Sequence, residues 1–263
     1  MSEAYRPSRY TRIRRSVALA GARVWSHVPS AAGPRAMIIG YHRVHADPGP
    51  LAVTPETFRR HLEVLAADSR IRVVALSEVA QWREPKELPV ALTFDDAYAD
   101  TLEVAAPILE AYGFPATVFA PTGILGSGPR MSVQQLAELN ARSFDIGAHS
   151  RTHVDLRGCS GDQLVDEVRG SRADLEEWLG APVAAFAYPY GALDARIQRA
   201  VRDAGFTIGV TTHRAWVRPG SDALALPRNF AGEYSAASFA AVVHGGMNYL
   251  ARLDQPRPLA RTG

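Results

Sequence analysis

Several common protein classes are argued against by what this sequence lacks. Cys159 is its only cysteine, so no disulfide can form within the chain. No His or Cys stands beside Cys159 at ligand spacing, and the thiol reads as inert or half-buried rather than metal-bound. The missing disulfides fit a reducing compartment. No uninterrupted run of about 18 apolar residues occurs, which argues against a spanning helix. No internal repeat and no low-complexity tract stands out. With 47% hydrophobic and 21% charged residues over 263 positions, the composition is that of a well-cored protein of one large domain or two small ones.

Charge is unevenly spread. Arg6, Arg9, Arg12, Arg14, Arg15, Arg23 and Arg35 face a single acid, Glu3, within residues 1–35, so a chain of net charge +2 has a mildly acidic body. A basic arm of this kind suits an anionic surface such as a membrane, or it is simply a solvated terminus. Ser16 to Val28 superficially resembles a signal peptide, but Arg23 and His27 interrupt it and no small-residue cleavage site follows. It is expected to form a short amphipathic helix on a cytoplasmic protein, at or near the inner face of the membrane. Too few aromatics interleave with the arginines for nucleic-acid binding.

Residues 29–34 read as a linker, so the arm is assigned to 1–35 and the ordered domain to 36–263. From there strand and helix patterns alternate. Strands are expected at Met37–Tyr41, Ile71–Leu76, Pro89–Phe94, Ala116–Ala120, Phe144–Ala148, Ala184–Tyr188 and Thr207–Thr211. Helices are expected from Thr54-Pro55, over Asp100–Tyr112, Ser132–Ala141, Ser160–Leu179 and Leu193–Ala204, and from Ser235 to about Leu250. Such alternation implies an α/β protein with parallel strands and helices outside, as an open sheet or a barrel.

The polar residues at the strand ends carry the functional argument. His42, Asp95 and Asp96, His149, and Pro189-Tyr190 each follow a predicted strand, and in α/β folds the carboxyl ends of parallel strands share one face where active sites form. Two adjacent carboxylates on an extended segment point opposite ways, so one can bind a metal while the other handles a proton; a helix cap is the alternative. His149 and His153, four residues apart on a strand-end loop, can close on one ion. Imidazole and carboxylate together suit zinc first, with cobalt, nickel or manganese also compatible. The Phe186 to Gly191 turn, fixed by Pro189 and Gly191, can hold a backbone N–H as an oxyanion donor.

In combination, T-F-D-D (Thr93–Asp96), H-S-R-T-H (His149–His153) and Y-P-Y-G (Tyr188–Gly191) resemble, in order and spacing, the signature of polysaccharide deacetylases, the NodB homology domain of carbohydrate esterase family four. The resemblance extends over about Ala36 to Leu250. It implies a distorted (β/α) barrel of about seven parallel strands. It further implies a divalent metal held by Asp96, His149 and His153, Asp95 as general base, and the Tyr190 N–H, beside Pro189, at the oxyanion. The implied activity is removal of an N-linked acyl group, acetyl first, from a carbohydrate.

The chain departs from that signature in four places. Ala97 stands where glycine usually follows T-F-D-D. Ala187 replaces an arginine that orients the catalytic aspartate, and Arg228 either stands in for it or binds substrate. The late Asp–Trp and L-x-H motifs are missing, so the general acid must come from elsewhere. Tyr41-His42 resembles a subset of the family in which an early histidine fills that position; His45 and His244 are weaker candidates, His244 because it falls in a predicted helix. Alternatives are a deformylase or other small amide hydrolase on a lipid- or nucleotide-linked sugar, and a glycan-binding protein without catalysis.

Overall fold

Every residue from Pro89 to Phe94 in strand β5 (Leu88–Phe94) is buried, the pattern of a parallel strand covered on both faces. In the computed structural model, which describes residues 33–47, 49–81 and 87–244, β5 pairs in parallel with β1 (Met37–Tyr41) and β6 (Thr117–Ala120). The sheet continues through β7 (Asp145–Ala148), β8 (Ala185–Ala187) and β9 (Ile208–Val210), and β10 (Asn229–Phe230) flanks β1, giving the order β10-β1-β5-β6-β7-β8-β9. One further strand, β4 (Ile71–Val73), pairs with the start of β5. A minor sheet joins β2 (Arg43–Val44) to β3 (Ala52–Val53).

One segment brings the two ends of the sheet together. Leu226 makes a parallel bridge to Val210 of β9, and three residues later Asn229 pairs with Ile39 of β1. The result is the expected distorted (β/α) barrel. Helices pack outside it: α1 (Pro55–Ala67), α2 (Leu76–Gln81), α3 (Ala106–Tyr112), α4 (Val133–Ala141), α5 (Gly161–Val165), α6 (Ser171–Leu179), α7 (Ala195–Asp203) and α8 (Ala236–Val243). A π-helical turn, Thr101–Ala105, leads into α3, and another, Asp166–Gly170, joins α5 to α6.

Local chemistry sets the helix ends. The Thr54 hydroxyl accepts from the Thr57 N–H with Pro55 at the first helical position, and Ser132/Gln135 and Ser160/Gln163 form reciprocal capping boxes. Gly113 and Gly180 end α3 and α6 in the left-handed conformation.

Strand periodicity divides the core in two. Met37, Ile39, Val90, Leu92, Val118 and Phe186 face outward under helical residues such as Phe58, Leu62, Leu136 and Leu175. Ile38, Ala91, Phe119, Ala187, Val210 and Leu226 face inward and fill the barrel. Gly40 and Gly147 also occupy inward positions, where an added Cβ would lie 2.7 Å from the Phe230 ring and 2.5 Å from the Phe119 ring. These two glycines are the space into which the aromatic rings fit.

The expected strand at Ile71–Leu76 stops at Val73, because Leu76 already starts α2. The carboxylates of the T-F-D-D segment do not cap a helix, since the π turn begins only at Thr101 after Asp100. The basic arm, its expected amphipathic helix and the tail of the last helix beyond His244 lie outside the described residues. No helix among the described residues is long and apolar enough to cross a membrane.

Candidate metal centre and active site

The alternation that fills the barrel also delivers the site. On β1 the inward positions run Ile38, Gly40 and then His42; on β5 they run Ala91, Thr93 and Asp95; on β7, Gly147 leads to His149. Each functional residue is thus the next inward side chain past the strand's last rung. The Asp95 N–H donates to the Tyr41 carbonyl at 2.9 Å and the His149 N–H to that of Ala120 at 3.0 Å, so the ladders still hold where the chemistry begins.

Asp96 breaks the alternation. Its φ of 71° and the 49° of Ala97 are left-handed, turning the Asp96 carboxylate away from Asp95. Ala97 in this conformation explains why glycine suits the position. The strain, about 1–2 kcal/mol, is partly offset by roughly 0.8 kcal/mol from its fully buried methyl group.

Asp96, His149 and His153 offer ligand atoms that all lie within 4.8 Å of one another. Asp96 Oδ1 is 3.3 Å from His153 Nε2 and 3.9 Å from His149 Nε2. The same oxygen is shut from solvent and accepts no hydrogen bond from any described residue, an unmet demand that a cation would satisfy. His149 Nδ1 lies 2.8 Å from the Ala187 carbonyl; only an N–H can make that bond, so Nε2 keeps its lone pair towards the cluster. Burial pushes the His149 pKa down to about 4 against the pull of Asp95, so the ring is neutral, the form that binds metals. Among the described residues the donor set fits a divalent ion.

The His149–His153 loop is clamped from beneath. Ser150 and His153 have φ of 60° and 59°, and the Ser150 hydroxyl accepts from the His153 N–H at 3.0 Å. The buried Glu167 carboxylate accepts from the N–H groups of Arg151 (2.8 Å) and Thr152 (2.9 Å) and from the Thr152 hydroxyl (2.5 Å). Arg151 makes a two-pronged ion pair with Asp174 and a third contact with Asp166. Sequence reasoning missed this clamp, because nothing distinguishes Glu167 from the other acids of its helix.

Asp95 is 2% exposed. Burial alone would raise its pKa, but the Arg228 guanidinium first, then His149 and His42, outweigh it and hold the carboxyl at about 2. Arg228 grips both Asp95 oxygens, Nη1 at 2.7 Å and Nη2 at 2.8 Å, while its Nε donates to the Thr211 carbonyl. Its ring-stacked neighbours Phe119 and Phe230 enclose it. Arg228 is fully buried, and its forked donors are spent on Asp95 rather than turned to solvent.

His42 packs at a tilt against Phe230 with ring centroids 5.1 Å apart and lies close enough to Asp95 to act on its charge. Its imidazole donates to no described backbone group. Of the other two candidate histidines, His45 accepts from the Asp47 N–H, and His244 Nε2 lies 3.0 Å from the Asp68 carboxylate at the end of α8; neither joins the cluster. Pro189 is buried, and Tyr190, at φ 59° and 65% exposed, packs its ring 4.8 Å from that of His153. Tyr98 is flanked by two guanidinium groups, Arg43 at 4.8 Å and Arg130 at 5.4 Å. Burial and then the Asp96 charge raise its pKa.

A parallel-strand barrel carries an Asp-His-His cluster on its carboxyl rim, a candidate site for one divalent ion, beside an arginine-clamped aspartate. The sequence profile of the family described as polysaccharide deacetylase matches residues 83–209. The Bacillus subtilis (strain 168) protein YxkH is 27% identical over 179 residues, 66% of this chain and 63% of that one. The poly-beta-1,6-N-acetyl-D-glucosamine N-deacetylase of Staphylococcus epidermidis is 25% identical over 194 residues, 67% of each chain. The chain thus spans about two thirds of the length of these relatives. Among solved structures, the Streptococcus pyogenes deacetylase PplD in complex with acetate superposes with a TM-score of 0.74 at 25% identity, covering 81% of this chain and 99% of that one. IcaB from Ammonifex degensii shares the fold, with a TM-score of 0.69 at 24% identity over 82% of this chain and 98% of its own. Over residues 83–209 the chain is similar to the polysaccharide deacetylase family, and its fold is that of the solved deacetylases.

Proposed function

We propose that the protein is a divalent-metal-dependent hydrolase that removes N-linked acetyl groups from a carbohydrate. The observation that carries this reading is the pairing of an orphaned, buried Asp96 oxygen with two histidines, directly beside an Asp95 carboxylate held ionised by Arg228. The similarity to named deacetylases supports the same substrate class.

Asp96, His149 and His153 would hold the ion, zinc by the preference of imidazole and carboxylate donors. When bound it would polarise the acyl oxygen and lower the pKa of water in the site towards about 7. Asp95, with a pKa near 2, is ionised throughout the physiological range and accepts the proton of the attacking water. The Tyr190 N–H, fixed by the Pro189 turn, donates to the developing oxyanion. His42, across the rim on β1, donates a proton to the departing sugar amine. Arg228 keeps Asp95 ionised and fixed in orientation. The arginine missing at Ala187 is therefore supplied from the segment just before β10, which removes one argument for a glycan binder without catalysis.

The test is acetate release from N-acetylglucosamine oligomers, measured with new free amines, before and after metal removal. Equal molar release of both, abolished by a chelator and restored by zinc, is the expected result. A metal-replete protein that releases no acetate from any N-acetylated sugar tested would overturn the reading.

A further inference from the structure

Among the charged groups around the rim, Arg130 stands apart. Arg43, on the next strand end, is neutralised by Asp100 at 2.7 Å. Arg228 is neutralised by Asp95, and Arg151 by Asp174 and Asp166. Arg130 has no ion pair and no side-chain hydrogen bond to any described residue. Its Nε is shut from solvent with no acceptor, and such orphaned donors persist in folded proteins mainly where something else meets the demand.

Backbone geometry holds this cation beside the site. Tyr98 and Arg130 face each other across an antiparallel bridge, closed by the Ala99 N–H to the Pro129 carbonyl and the Met131 N–H to that of Ala97, both at 2.8 Å. Tyr98 lies two residues from Asp96, and its ring is covered by Arg43 as well as Arg130. Packing on the ring holds the guanidinium in place, so little further side-chain entropy is lost when it binds.

We infer that Arg130, seated on Tyr98, forms a subsite for an anionic substituent, a carboxylate or a phosphate, on the carbohydrate that enters the site. A guanidinium is suited to both, because its forked donors match two oxygens of either group. The inference rests on the deacetylase reading for the identity of the ligand as a sugar, but not for the subsite's charge preference. It makes Arg130 a specificity residue that contacts the substrate away from the reacting acyl group.

Calorimetric titration of the full-length chain tests it without requiring turnover. The probes are a neutral N-acetylglucosamine tetramer, a tetrasaccharide alternating N-acetylglucosamine with glucuronic acid, and the pair N-acetylglucosamine and its 1-phosphate. Wild-type protein should bind at least one acidic probe about tenfold or more tightly than its neutral counterpart, the gain typical of one charge-assisted contact. Arg130→Gln should erase that preference and leave neutral binding unchanged. Arg130→Met, which keeps the stem on Tyr98, should do the same, and matched melting curves exclude misfolding. Whether the uronate or the phosphate pair shows the effect identifies the source of the anion. Equal binding of acidic and neutral probes by wild type, or a preference that survives both variants, would overturn the subsite. Acetate release from the neutral tetramer, read in parallel, reports on the deacetylase reading alone.

Discussion

Asp95 and Arg228 are both almost wholly buried, and neither charge could be tolerated there alone. Removing one partner of such a pair typically costs about 3–5 kcal/mol, because the other is left uncompensated. Asp95 could be read from the sequence as the inward neighbour of a buried strand. Arg228 could be read only as a candidate with two roles, since a residue 133 positions away enters the site through barrel closure rather than local pattern. His42 was legible for the same reason as Asp95: it continues the inward face of β1. The proton-donor role proposed for His42 makes a selective prediction. His42→Ala should slow amide hydrolysis by roughly 10²–10⁴-fold and leave bound metal unchanged. Hydrolysis of an activated aryl acetate should suffer far less, since that leaving group departs without a proton. His244→Ala, which breaks contacts with Asp68 and Arg70 away from the cluster, should be close to silent. A selective amide defect in His244→Ala with none in His42→Ala would move the acid to the other side of the barrel.

Elements rather than single residues hold the two histidines in register. The loop after β7 places two non-glycine residues in left-handed backbone, a cost of roughly 1–2 kcal/mol each that the surroundings must offset. Glu167 does so through three hydrogen bonds to the intervening residues, and it can reach them because the π turn Asp166–Gly170 presents it. The helix itself was legible from its capping box; the π turn and the clamp were not. Glu167→Gln should keep the fold but weaken zinc binding about 10–100-fold, the usual effect of losing a group that orients metal ligands. Competition with a chromogenic chelator reads this directly, and unchanged affinity would show that the loop holds its shape without the carboxylate.

At the scale of the whole molecule, the seven parallel strands on the path from β10 to β9 among the described residues place their carboxyl ends on one rim, and residues from positions 42, 95, 96, 149, 153 and 190 meet there. Strand–helix alternation and the three motifs were enough to foresee that architecture. Barrel closure by the Leu226–Phe230 segment was not foreseen, because β10 is only two residues long and too short for a periodic signal. The central claim is that two adjacent carboxylates on this rim divide the labour, Asp96 holding the metal and Asp95 moving the proton. The most direct measurement is metal content and acetate release on Asp95→Asn and Asp96→Asn side by side, with melting curves to confirm that each folds. Asp95→Asn should retain one metal ion per chain and lose most turnover, while Asp96→Asn should lose both. Near wild-type turnover in Asp95→Asn, or a full complement of metal in Asp96→Asn, would contradict the account.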